Sequence, residues 1–184
     1  MHALETLRGA IPEVAKDLRL NLGAVLQPGN LTLEQVWGVA VATAIASRNP
    51  QLRQAVLEDA LVTVSPQVVD DAKAAAALMA MNNVYYRSKH QLADAGISGY
   101  DELPARLRMQ VLGTHGGVEP ADFELWCLAV SAINACGACL AAHERTVRSA
   151  GVTREDVHEV LRVAAVIHAV AVTVESEDVA VVRA

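Results

Sequence analysis

The chain has 184 residues, of which 53% are apolar and only 3% aromatic, and it carries a formal charge of −6. This is enough for one domain with its own core and no disulfide staples, and an alanine-rich, aromatic-poor composition favours close-packed helices over sheet. The acidic balance and the lack of a basic cluster argue against nucleic acid or an anionic membrane surface as partner, leaving small molecules and proteins.

In chain order, Leu4, Leu7, Ile11, Val14 and Leu18 recur at helical spacing and predict a first helix. The same stretch holds Glu5, Arg8, Glu13, Lys16, Asp17 and Arg19, which is not the pattern of a signal peptide. Thr32 with Gln35 forms a capping box for a second helix, expected to end near Asn49-Pro50. The apolar run from Val36 to Ala46 is about half of the roughly 20 residues a spanning helix needs, and the C-terminal run is broken by Arg162 and His168. The expected setting is therefore the cytoplasm, with no membrane partner. Ser65 and Pro66 read as the N-cap and first residue of a long helix through DDAKAAAALMAMNNVYYR, whose Met and Tyr side chains are assigned to the core or an interface. Another helix is expected from near Asp101. GTHGGVEP, residues 113–120, reads as a loop whose closing Pro120 starts the helix ADFELWCLAVSAIN. Gly151 ends the helix that holds His143, and Thr153 with Asp156 opens a last helix to about Val174, followed by a loose tail, 175–184.

Superposing the two tryptophans sets VWGVAVATAIAS, from Val36, over LWCLAVSAINAC, from Leu125. This weak repeat splits the single domain into a first half, about 1–95, and a second half, about 96–175. In that register Gln35 stands at the place of Glu124, Ser47 of Cys136, Pro50 of Cys139 and Gln54 of His143, so the first half keeps the scaffold and lacks the chemistry.

The chemistry is concentrated in CGACLAAH, residues 136–143. On a helix Cys136 and Cys139 are i and i+3, and Cys139 and His143 are i and i+4, so all three share one face. A helix start near Cys136 gives the thiols unpaired amides and the positive dipole end, which favour thiolate, and His143 can take the proton of Cys139. Glu124 is too far away along a continuous helix; if the chain reverses around Asn134-Ala135, it comes level with His143 and can orient the imidazole. A glutamate that serves only its helix dipole is the competing reading. Two thiolates and an imidazole are also three zinc ligands, but a structural site needs a fourth, and no second Cys or Cys-His pair supplies it. Leu140 stands where covalent haem attachment requires histidine. Cys127 and His168 sit in apolar runs and read as core residues.

The stretch FELWCLAVSAINACGACLAAHERTVRSAGVTREDV, 123–157, closely resembles the alkylhydroperoxidase D (AhpD) family within the carboxymuconolactone-decarboxylase-like group. IPEVAKDLRLNL, from Ile11, and MNNVYYR, from Met81, extend the likeness over nearly the whole chain. The resemblance implies an all-α domain with an internal pseudo-repeat, commonly a homotrimer, acting as a thiol peroxidase on organic hydroperoxides and serving a peroxiredoxin partner. It implies no bound cofactor, with electrons supplied by a dihydrolipoyl group on a partner protein. Carried over by position, it makes Cys139 the peroxide-reactive residue, Cys136 the proton donor and exchanging residue, His143 the base and Glu124 its orienting carboxylate. The implied cycle takes Cys139 through sulfenic acid to a Cys136–Cys139 disulfide, and Cys136, nearer the exposed helix start, is placed to give the leaving alcohol a proton, attack the sulfenic sulfur and later exchange with the dithiol reductant. Ala138 departs from relatives with histidine before the second cysteine, so a relay through that position is rerouted or absent. A redox adaptor without peroxidase activity and a lactone decarboxylase are the alternatives. High apolar content with 20% charged residues independently favours a homo-oligomer.

Overall fold

A computed structural model of the chain describes residues 2–109 and 117–178. Eight α-helices, and no strand, occur among them: α1 (Ala3–Ala10), α2 (Lys16–Val25), α3 (Leu33–Ala46), α4 (Pro50–Leu61), α5 (Pro66–Asp94), α6 (Pro120–Ile133), α7 (Gly137–Ser149) and α8 (Arg154–Asp178), with a 3₁₀ turn at Glu13–Ala15 before α2. The expected all-α single domain is what forms.

Several boundaries follow the local chemistry. Thr32 and Gln35 make both bonds of the capping box on α3, Ser65 caps α5 ahead of Pro66, and Thr153 and Asp156 bond reciprocally at the start of α8. Gly151 follows the end of α7 with φ +94°, a conformation that costs glycine nothing.

Other expectations fail for identifiable reasons. The first helix is interrupted: Pro12 disfavours helical backbone at Ile11, which is extended, so the apolar spacing spans two helices and leaves Val14 in solvent. The second helix does end close to Asn49-Pro50, at Ala46, but that pair also starts a helix the sequence did not mark, α4, with the Asn49 carboxamide accepting from the Leu52 amide at 3.0 Å and Pro50 at the first position. No helix begins at Asp101, because Pro104 lies three residues on and the backbone through 109 is turn and irregular. α8 runs past Val174 to Asp178, so the start of the expected tail is helical. Residues 113–116 of the expected loop and 179–184 of the tail lie outside the described residues.

The core is built around α3 and α6, which pack against each other and are buried over most of their length. Helices buried on all sides must be small or apolar throughout, and here the alanine-rich runs serve that need. The tightest approach is at Gly38 of α3: a Cβ there would overlap the indole of Trp126, whose ring nitrogen donates to the Gln35 carbonyl at 3.3 Å. α8 is long and apolar enough to cross a membrane by length and composition alone; in the fold it packs against α2, α3 and α6 through Val160, Val163, Ile167 and Val170.

The succession α3–α4–α5 has a counterpart in α6–α7–α8, with helices of 14, 12 and 29 residues against 14, 13 and 25. Matching the helix starts and the left-handed residue in each tight turn, Arg48 and Ala135, moves the correspondence by two residues from the one that superposes the tryptophans. Asn49, not Ser47, then stands opposite Cys136, both as N-caps, while Leu52 matches Cys139, Val56 matches His143 and Trp37 matches Glu124. Sequence identity favours the tryptophan register, whereas the helix starts, the caps and the turn residue set the structural one.

Candidate active site

The reactive segment is an αα-hairpin. α6 ends at Ile133, Asn134 closes it, and Ala135 takes φ +53°, reversing the chain within three residues. The Cys136 amide returns to the Ser131 carbonyl at 3.0 Å and fixes the turn. Cys136 is the N-cap of α7, and its sulfur accepts from the Cys139 amide at 3.4 Å. Both sulfurs thus lie at the positive end of a helix, where thiolate is favoured. Cys136 and Cys139 are joined in a disulfide with Cα atoms 5.4 Å apart, inside the usual bridging range.

Exposure reverses one expectation. Cys136 is only 1% exposed and Cys139 8%, because the N-cap side chain folds inward over the first turn instead of out from the helix start.

The chain reversal brings Glu124, in the second turn of α6, level with His143 of α7. The carboxylate Oε2 lies 2.6 Å from His143 Nδ1, with the imidazole side chain 14% exposed and the glutamate 23%. A carboxylate only accepts, so Nδ1–H is the donor and Nε2 is the nitrogen left to exchange a proton. Glu124 is therefore engaged with the imidazole and is not merely a helix-dipole charge.

Nε2 has a neighbour that the sequence did not mark: Sδ of Met79, on α5, at 3.2 Å. The segment LMAMNNVYYR was assigned to core or interface, and Met79 is buried, but it is buried against the site. One turn on, Asn83 donates to Ser131 Oγ at 2.9 Å and accepts from Asn134 Nδ2 at 3.0 Å, while Arg87 donates to the Asn134 carbonyl. Met79, Asn83 and Arg87 follow at intervals of four, a stripe of α5 that touches both arms of the hairpin and its turn. Their spacing was visible, but nothing in it named the hairpin as their partner.

Cys127 is fully buried in α6, as expected, and burial, reinforced by the charge of Glu124, pushes its thiol well above the ordinary range. His168 is not in the core: it is exposed on α8 and its Nδ1 meets Ser47 Oγ at 3.2 Å, because the apolar run around it turns only one face inward. Ala138 supplies no second imidazole to the first turn of α7. Among the described residues, no three His, Cys, Asp or Glu side chains gather as a metal site.

Residues 99–181 match the Carboxymuconolactone decarboxylase family. Over 179 residues the chain is 55% identical to a protein named alkyl hydroperoxide reductase AhpD from Anaeromyxobacter sp. (strain K), covering 95% of this chain and 92% of that one. Proteins of the same name from Solibacter usitatus and Streptomyces coelicolor are 50% and 49% identical, covering 95% and 96% of this chain and 96% and 97% of theirs.

Proposed function

Since this chain belongs to the alkyl hydroperoxide reductase AhpD family, and so to the peroxide-related oxidoreductases, we propose that it is a thiol peroxidase that reduces organic hydroperoxides through the Cys136–Cys139 pair. One observation carries the reading: the dithiol pair and the Glu124–His143 pair share one hairpin, with the imidazole one helical turn from Cys139.

In the reduced protein, His143 Nε2 takes the proton of Cys139, and Glu124 balances the imidazolium. The thiolate attacks the terminal oxygen of the hydroperoxide; the O–O bond breaks, Cys139 becomes sulfenic acid, and the alkoxide leaves as alcohol with a proton from Cys136 or His143. Cys136 then attacks the sulfenic sulfur, forming the disulfide and releasing water. A dithiol of the dihydrolipoyl class closes the cycle by exchange at Cys139, the less buried of the two residues, instead of at Cys136 as the resemblance implies, and expels Cys136 as a thiolate that its N-cap position stabilises. In sum, hydroperoxide and dithiol become alcohol, water and a cyclic disulfide.

The same reading includes a cytoplasmic homotrimer, electrons from a lipoylated partner protein, and a peroxiredoxin as a further client of the dithiol. The strongly exposed Val14, Leu20 and Val62 support self-association. In this proposal the second half of the chain carries the chemistry, and the first, with Leu52 and Val56 at the corresponding places, is scaffold.

Turnover of tert-butyl hydroperoxide by the purified protein with dihydrolipoamide, and no other protein added, is the direct test. In the Cys136→Ser variant a dimedone-type trap should label Cys139 after peroxide addition, while Cys139→Ser shows neither label nor turnover. Turnover only when a peroxiredoxin is added would make the protein an electron relay. Labelling of Cys136 in Cys139→Ser, with peroxide consumed normally, would exchange the two roles.

A further inference from the structure

Base catalysis by His143 occupies Glu124 on one side of the ring and Cys139 on the other, yet in the disulfide state the nitrogen meant for Cys139 faces a third group. Nε2 lies 3.2 Å from Met79 Sδ. A thioether can only accept, so with Nδ1–H given to Glu124 this contact is a hydrogen bond when Nε2 carries a proton too, as in the imidazolium; in that form it holds the ring and moves no proton.

The thioether is itself held. Met79 is 1% exposed, and its sulfur is 3.8 Å from Asn83 Nδ2. Asn83 is bound at both ends of its amide, to Ser131 and Asn134, so its orientation is set by the hairpin that carries the cysteines. Methionine ordinarily adapts through three rotatable bonds. Here its sulfur sits between an amide locked to the turn of the hairpin and the imidazole on the hairpin's second arm.

We propose, on the thiol-peroxidase reading above, that Met79 is a positioning residue for His143. While the cysteines are bridged, the sulfur of Cys139 is uncharged and Met79 Sδ accepts from Nε2–H of the imidazolium. When the bridge is reduced, the new Cys139 thiolate, one turn away on α7, replaces Met79 as the acceptor of Nε2–H. The ring pivots about the Nδ1–Glu124 bond and exchanges one sulfur for the other. The imidazole is therefore already in place, by its two hydrogen bonds, when Cys139 is released.

The Met79→Leu variant separates this role from core filling, because leucine keeps the volume and removes the sulfur. Starting from the disulfide form with dihydrolipoamide as reductant, Met79→Leu should turn over tert-butyl hydroperoxide about five- to tenfold more slowly, as expected for a ring released from its geometry. The loss should fall on kcat, with KM for the hydroperoxide and the melting temperature unchanged. In the wild-type protein with ¹³C-labelled methionine methyls, the Met79 methyl should show an NOE to the His143 ring in the disulfide form and should shift on reduction by dithiothreitol. A Met79→Leu rate within twofold of wild type, or a Met79 methyl unaffected by redox state, overturns the proposal. If the variant does not fold, the wild-type methyl measurement decides alone. Should the wild-type protein turn over no hydroperoxide, the thiol-peroxidase reading falls, and the methyl measurement still decides whether Met79 tracks the redox state.

Discussion

Replacing Glu124 by glutamine removes one charge at Nδ1 of His143 and leaves an amide oxygen able to accept the same hydrogen bond. The 2.6 Å contact joins two side chains that are 14% and 23% exposed, so it is not screened as a surface pair would be. A hydrogen bond to a charged acceptor contributes about 1.5–3 kcal/mol against about 1 kcal/mol for a neutral one. The difference of about 0.5–2 kcal/mol counts only when the ring has taken the Cys139 proton, and at about 1.36 kcal/mol per decade it slows that step about 2- to 30-fold. Single-turnover mixing of pre-reduced Glu124→Gln with tert-butyl hydroperoxide, quenched and read as disulfide by mass spectrometry, measures it. A rate within twofold of wild type with the fold intact would show that the carboxylate is not the imidazolium's counter-charge. A loss beyond about a thousandfold would mean that Glu124 does more than balance charge, since electrostatics of this size cannot supply it.

Three further expectations concern the frame. Burial, with Glu124 second, raises the Cys127 thiol, so near pH 8 it stays protonated; alkylation of the reduced native protein should reach Cys139 and spare Cys127 until the chain is unfolded, and equal labelling of both would refute this. Gly38→Ala should lower stability by about 1–3 kcal/mol because the new methyl overlaps Trp126, whereas helix propensity alone would raise it; a higher melting temperature would remove the close-approach argument. Asp59 is raised by burial, but the amides of Leu4, Ala3 and His2 outweigh that and hold it below the usual carboxylate range. Its charge therefore stabilises the fold above about pH 4 and loses effect as the pH falls through the lowered native value. Asp59→Asn should cost about 1–2 kcal/mol in urea unfolding at pH 7 and progressively less toward pH 3, and a gap independent of pH would contradict the sign.

The caps and the reactive spacing were legible because they are local. Thr32/Gln35, Ser65-Pro66 and Thr153/Asp156 state their helix starts within four residues, and the Cys139–His143 interval needs only a helix. Glu124 was legible conditionally: its distance from His143 depended on a reversal at Asn134-Ala135, where the decisive fact is a left-handed alanine that composition does not announce. Met79 and Asn83 were hidden, because a methionine and an asparagine in a long apolar helix look the same whether they face a core or an imidazole. α4 was missed because Asn-Pro can close a helix or open one, and the structural register of the two halves lies two residues from that of their tryptophans because side-chain identity follows the tryptophans while the helix starts and turns do not.

That one sulfur serves as the cap of α7 ties secondary structure to electron count. In the bridged form the Cys139 amide points at a divalent, uncharged sulfur at 3.4 Å, a weak acceptor. In the two-electron-reduced form the same position can hold a thiolate, a charged acceptor at the end of a helix dipole. On the proposed cycle the first turn of α7 is thus fastened most firmly as Cys136 is expelled and more loosely in the bridged form, the one that must admit the incoming dithiol. The Cys139 N–H sits on that joint, and its proton resonance is a gauge of the oxidation state written into the backbone.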